Sequence, residues 1–202
     1  MNTYLILGVS FAFAAAVQPG PLQSFLITQT LTNGWKKTII ASFSPLISDI
    51  PIIAITLLLL VQLPPKAIHI IQVAGGIYLL YLSFEAYKTF RKIRQNEVII
   101  SQKPVKTLFK AVFVNLLNPN PYLAWSLVMG PLLLKAWDQS IFNGILLIAS
   151  FYLTLVSCLF GTIMLISLGK NFGAAVNRAL LGISVIALAA FGIYEIGSGL
   201  WQ

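Results

Sequence analysis

Acidic side chains are scarce in this chain: five Asp and Glu stand among 202 residues, against thirteen Lys and Arg. Charged residues of both signs make up only 9% and hydrophobic ones 58%, whereas soluble domains carry about 25% and roughly 45–50%. That shortage excludes an ordinary water-soluble fold. A single cysteine, Cys158, excludes an intramolecular disulfide and a dithiol pair, and so weighs against an electron-carrying oxidoreductase. The phosphate-cradling Gly-Lys-Ser/Thr loop is missing, so ATP is not consumed directly by this chain. No metal cluster, carboxylate dyad or Ser/Lys/His constellation falls within the apolar stretches. Neither enzyme activity nor a cofactor or metal is expected.

What the chain has instead is long apolar runs. A bilayer crossing takes about 20 mostly apolar residues, and six stretches qualify: Tyr4 to Leu31, Thr38 to Gln62, Ile68 to Phe90, Leu108 to Leu134, Ile141 to Leu168 and Val176 to Leu200. The expected fold is an all-α integral membrane protein, one transmembrane domain over residues 1–202. The longest polar stretch, Lys88 to Thr107, is a linker rather than a domain. The run ending in Ala14-Ala15-Ala16 resembles a secretory signal, but Met1 to Tyr4 lack the basic residues of an n-region, so it reads as a span.

The net charge of +8 does not point to nucleic acid, because the charges sort by side. The first, third and fifth connections hold Lys36 and Lys37; Lys88, Arg91, Lys92, Arg94, Lys103, Lys106 and Lys110; and Lys170 and Arg178. The second and fourth hold only Lys66 and Lys135. By the positive-inside rule the crowded side faces the cytoplasm of an inner membrane, with both termini outside. The basic 88–110 segment is then either a solvated loop or one resting on anionic lipid headgroups. Trp35, Trp137 and Trp201 fall near span ends, as an interfacial belt requires.

The two halves echo each other. Gln18-Pro19-Gly20-Pro21 in the first stretch is matched one hundred residues later by Asn118-Pro119-Asn120-Pro121 in the fourth. At the same offset Phe13 falls on Phe113, Val17 on Leu117 and Phe25 on Trp125, while Gly76-Ile77 and Gly182-Ile183 form a weaker echo. Repeat A then covers about 4–90, the basic loop 91–107 and repeat B 108–200. Three spans per half make the repeat inverted, with a pseudo-twofold axis in the membrane plane and two related conformations, one open to each side.

Proline in a helix lacks the N–H that bonds four residues back, so helices 1 and 4 are expected to be Pro-broken. Pro19 and Pro21 should free the carbonyls of Ala15 and Val17, and Pro119 and Pro121 those of Asn115 and Leu117. Unsatisfied backbone groups persist in lipid only where protein or a water-filled cavity surrounds them, which puts both breaks in the interior. Free N–H groups near Leu22 to Ser24 suit a carboxylate, and loosened carbonyls suit an ammonium.

Asp49 sits about midway along the second stretch, in Ser44-Pro45-Leu46-Ile47-Ser48-Asp49-Ile50-Pro51, with no basic residue within ten positions. An intramembrane acid costs about 2.5–3.5 kcal/mol on insertion scales and faces the bundle interior. It can bind a substrate ammonium, carry a proton, or hold helices together through Ser44, Ser48 or a freed carbonyl. Glu97 and Asp138 fall in loops, Glu195 lies near the carboxyl end, and Glu85 is placed beside Lys88 and Arg91 as an interfacial partner. His69 reads as interfacial too.

Pro19-Gly20-Pro21, Gly34 before the basic pair, Asp49, Gly75-Gly76-Ile77-Tyr78-Leu79-Leu80-Tyr81-Leu82 and Asn115-Leu116-Leu117-Asn118-Pro119 together resemble the LysE/RhtB-type amino-acid exporters over nearly the whole chain. The resemblance implies proton-driven efflux of amino acids or related metabolites. The pathway it implies is lined by the Pro-containing breaks (Gln18, Pro19, Gly20, Pro21, Asn115, Asn118, Pro119, Asn120, Pro121) and by Asp49 with Ser48. Two departures affect the cavity: Ser48 replaces a frequent Gly, and Asn120 a common Lys. The partners so implied are a small amino-acid-like solute, the proton and membrane lipid, and a thin six-span bundle leaves room for a homodimer. The alternative is a non-transporting subunit or scaffold that docks a partner through the basic 88–110 loop.

Overall fold

The computed structural model describes residues 3–18, 20–59, 65–94, 103–169 and 174–201. Every regular element among them is helical. In chain order they are α1 (Thr3–Val17), α2 (Pro21–Asn33), α3 (Trp35–Thr38), a 3-10 segment (Ile39–Phe43), α4 (Ser44–Leu59), α5 (Pro65–Arg94), α6 (Pro104–Leu116) and α7 (Pro119–Ala124). A π-helical turn (Trp125–Met129), α8 (Gly130–Gln139), α9 (Ile141–Gly169) and α10 (Ala174–Leu200) complete the chain.

Among the described residues, three stretches are long and apolar enough to cross a membrane: Trp35–Leu57, Ile141–Gly169 and Arg178–Leu200. The pair Thr3–Val17 and Pro21–Asn33, bent by 62°, makes a fourth if taken as one broken span. Of the other two predicted stretches, 68–90 lies within α5, a helix of 30 residues. The stretch 108–134 is split among α6, α7, the π turn and α8.

The interior combines an apolar core with many buried polar side chains, and the outer surface is apolar. Leu153, Leu165, Ile186 and Ile193 are all more than three-fifths exposed, while Thr28, Thr30, Thr38, Ser42, Ser44 and Ser48 are buried. An apolar surface this extensive suits lipid rather than water. The buried hydroxyls are mostly spent locally: Thr28 donates to the Ser24 carbonyl at 2.8 Å and Thr30 to that of Leu26 at 2.7 Å.

Glycines set the closest helix contacts. α5 and α10 run antiparallel, with Ser83 Oγ donating to the Val185 carbonyl at 2.9 Å. A Cβ on Gly76 would come within 2.5 Å of the Gly192 carbonyl oxygen, and one on Gly192 within 2.9 Å of that of Gly76. Small residues let the two backbones approach this closely. Gly34, with φ +83°, turns the chain from α2 into α3, a conformation that side chains with a Cβ rarely adopt.

Candidate functional site

The two predicted breaks are both present, and each is a stop followed by a new start. α1 ends at Val17, and α2 begins with Pro21 as its first residue behind an extended Gly20. α6 ends at Leu116, and α7 begins with Pro119 behind an extended Asn118. Proline fits a first helical position because its missing N–H is not needed there. Pro19 lies outside the described residues.

The same motif is satisfied differently in the two halves. Asn118 caps α7, its Oδ1 accepting from the Asn120 N–H at 3.1 Å. Among the described residues no side chain caps the start of α2 in the same way. Gln23 instead reaches back, its amide donating to the Ala15 and Ala16 carbonyls at 3.2 Å each. The expected freeing of Ala15 is therefore seen, and Gln23 takes it up. The expectation for Asn115 needs correcting: its carbonyl accepts from the Asn118 N–H at 3.2 Å, because the chain tightens before it breaks. Tyr122 donates its hydroxyl to the Leu116 carbonyl at 2.9 Å. The Leu117 carbonyl abuts Gly75, where a Cβ would collide with it.

Between the breaks lies a cavity of about 200 Å³. Gln18, Gly20, Asn115, Asn118, Asn120 and Pro121 line it from the two broken regions, and Asp49 lines it from α4. Pro21, Pro119 and Ser48, also predicted on the pathway, are not among the lining residues. The two prolines are buried as helix starts, and Ser48 is buried behind Asp49. The rest of the wall is largely apolar, including Phe11, Leu22, Val128, Leu155 and Leu159. Pockets for drug-sized ligands run to roughly 300–1,000 Å³, so this one suits a smaller solute.

Asp49 is 4% exposed and points inward. Asn115 donates one amide hydrogen to its Oδ1 at 2.9 Å and the other to Ser48 Oγ at 2.7 Å. Ser48 donates to the Ser44 carbonyl at 3.0 Å, its Oγ lying 3.4 Å from the same Oδ1. The Tyr152 hydroxyl donates to Oδ2 at 3.0 Å. Trp125, at the head of the π turn, lines the same cavity. Helices α4, α6 and α9 thus converge on one carboxylate.

The family model described as LysE type translocator matches residues 13–196. The chain belongs to the LysE type translocator family. No curated protein and no solved structure matches it. All of the cavity's lining residues except Phe11 fall within the matched stretch. Membership, together with the apolar helices, makes this translocator a multi-pass membrane protein that moves small molecules.

Sequence reasoning missed Tyr152, Trp125 and Gln23. The offset of one hundred that pairs Phe25 with Trp125 was a signal for the second, but nothing in the sequence singled out Tyr152 among seven tyrosines. Two acidic residues also need correction. Glu85 pairs with Lys110 of α6, not with Lys88 or Arg91, and it accepts from Tyr81 at 3.2 Å. Lys88 lies over the Phe84 ring instead, 4.3 Å from its centroid. Glu195, placed near the carboxyl end by the sequence, is only 4% exposed, so Asp49 is not the lone buried acid. Residues 95–102 of the basic loop lie outside the described residues.

Proposed function

We propose that this LysE type translocator is a secondary exporter of amino acids or related small metabolites, working in exchange for protons across an inner membrane. The observation that carries the reading is the buried Asp49 carboxylate at the cavity wall between two helix breaks. A charge inside a membrane bundle is costly and marks a pathway. A carboxylate there can hold either a proton or a cationic group, the competition an antiporter needs. Gln18, Asn118 and Asn120 supply amides that meet the polar parts of a solute, and Ser48 and Asn115 hold Asp49 in place.

Six spans in a 3+3 inverted repeat account for the packing. α1 packs on α9, α6 to α8 pack on α4, and α5 packs on α10. These are the pairings expected if a pseudo-twofold exchanges the first span with the fourth, the second with the fifth and the third with the sixth. Such an axis supports two related states that open to opposite sides. The basic connections put the amino and carboxyl ends on the outer face. The scaffold reading gains no observation here, since Lys110, one of the charges it would use, is engaged by Glu85.

The test is flux. Proteoliposomes loaded with labelled amino acids and given an imposed pH gradient are expected to show gradient-dependent movement. Absence of flux across a broad panel overturns the reading. Asp49→Asn is expected to abolish proton-coupled movement while the protein still inserts, and normal transport by that variant removes Asp49 from the mechanism.

A further inference from the structure

The carboxylate at the cavity wall has room for a ligand. A carboxylate offers about four acceptor positions. Asn115 takes one on Oδ1 and Tyr152 one on Oδ2, while Ser48 spends its hydrogen on the Ser44 carbonyl. About half of the positions stay open, and a primary ammonium fills them while bringing the counter-charge that a buried carboxylate needs.

The breaks present donors to the same cavity. α2 starts on Pro21 with no side-chain cap, and Gly20, Leu22 and Gln23 at that start are lining residues. A helix's first N–H groups have no acceptor within it. Those of Leu22 and Gln23 precede the first bond of this helix, from the Ser24 N–H to the Gly20 carbonyl at 3.0 Å. Asn118 is an independent second donor. It is 9% exposed and lines the cavity, and its Oδ1 is committed to the Asn120 N–H. That bond fixes which way the amide is turned, and among the described residues no acceptor meets its Nδ2. Free N–H groups at a helix start and an unspent amide suit a carboxylate.

The remaining wall limits the side chain of a solute held by both ends. Asp49 is the single ionisable group among the described lining residues. A basic side chain would bring a second cation to one carboxylate, and an acidic one a second anion with no Lys, Arg or His to meet it. Phe11 of α1, Val128 of the π turn and Leu155 and Leu159 of α9 also line the cavity. A hydroxyl or amide set against them gives up its bonds to water, whereas an aliphatic group gains by leaving water.

We propose that the exported solute is a neutral α-amino acid with an aliphatic side chain, its ammonium on Asp49, its carboxylate on the start of α2 and the Asn118 amide, and its side chain against the apolar wall. The inference rests on the transport reading of this cavity and names its substrate class. It gives Asn118 two tasks: its oxygen caps α7, and its nitrogen receives the solute.

Proteoliposomes holding the native protein test this, loaded with labelled leucine under an imposed pH gradient, alone or with unlabelled serine, lysine, glutamate or isoamylamine. Isoamylamine is leucine without its carboxylate. Leucine is expected to move, and each competitor to need about tenfold or more the concentration at which unlabelled leucine halves the flux. Asn118→Asp keeps an oxygen for the α7 cap but sets a negative charge where the amide nitrogen stood. It is expected to raise the leucine KM about tenfold or more and to erase the advantage of leucine over isoamylamine. Asn118→Ser, which caps without the charge, reads the same ratio should the Asp variant not insert. Isoamylamine competing as well as leucine in the native protein, or a ratio that neither variant moves, overturns the carboxylate subsite. Serine, lysine or glutamate competing as well as leucine overturns the side-chain assignment. Movement of other amino acids in the broad panel without leucine overturns the inference and leaves the transport reading standing. If leucine and the whole panel stay in place, the transport reading fails and this inference with it.

Discussion

Tyr152 of α9 and Asp49 of α4 stand 103 residues apart, yet the tyrosine hydroxyl donates to the Asp49 carboxylate at 3.0 Å. The bond ties two helices of different halves to one buried charge. A hydrogen bond to a charged group contributes about 1.5–3 kcal/mol. Tyr152→Phe is therefore expected to lower the initial transport rate by about tenfold, since 1.4 kcal/mol corresponds to a factor of ten. Initial rates in proteoliposomes at matched protein density check this, and an unchanged rate would show the bond to be dispensable.

Gln23 spans the first break, its amide donating to two carbonyls of α1. Gln23→Leu leaves both without that donor; the Ala15 carbonyl is exposed and can turn to water, so the cost falls on the part-buried Ala16 bond and is about 1 kcal/mol. A lower melting temperature in detergent is expected. Gln23→Glu is expected to be at least as damaging, because it sets a negative charge against carbonyl oxygens. A melting temperature equal to wild type in Gln23→Leu would mean that water or another group caps these carbonyls.

The glycines divide into two kinds. Gly76 faces Gly192 so closely that Gly76→Ala forces α5 and α10 apart, and overpacking of this sort costs about 1–3 kcal/mol. Nothing lies within 4 Å of a Cβ built on Gly197. Gly197→Ala is therefore expected to be neutral or to stabilise by about 0.5–1 kcal/mol through helix propensity. Thermal unfolding of the two variants side by side tests the contrast.

Lys110 is buried where α6 meets α5, and its partner Glu85 is part-exposed. Lys110→Met leaves Glu85 without its counter-charge, at a cost of up to about 3 kcal/mol given that exposure. Adding Glu85→Gln is expected to recover a large part of the loss. A double-mutant cycle on unfolding free energy measures the coupling, and additive losses would show that the two side chains act independently.

Much of the architecture was legible because lipid imposes simple rules on a chain. Hydropathy placed the apolar stretches, and the structure puts helices over most of the described residues of each. The paired Pro-x-Pro motifs announced the breaks, since proline cannot continue a hydrogen-bond ladder. Asp49 stood out as a charge in an apolar run. The way the two breaks are satisfied was not legible: matching motifs use a capping Asn118 in one half and a distant Gln23 in the other. Glu195 and Lys110 were misread for a related reason. Their positions near helix ends suggested exposure, but burial depends on which neighbouring helix covers them.

By itself the amino-acid sequence determined that this protein is helical and built for lipid, that two of its helices break, and that an acid lies in an apolar stretch. Each of these follows from local physics: hydropathy, a missing N–H and the cost of a buried charge. Only the tertiary structure decided that Asn115 and Tyr152 meet Asp49 and that the breaks share one cavity. It also decided that Lys110 pairs with Glu85. Those relations join residues tens to a hundred positions apart, and helix packing alone determines which of the available partners comes within hydrogen-bonding reach.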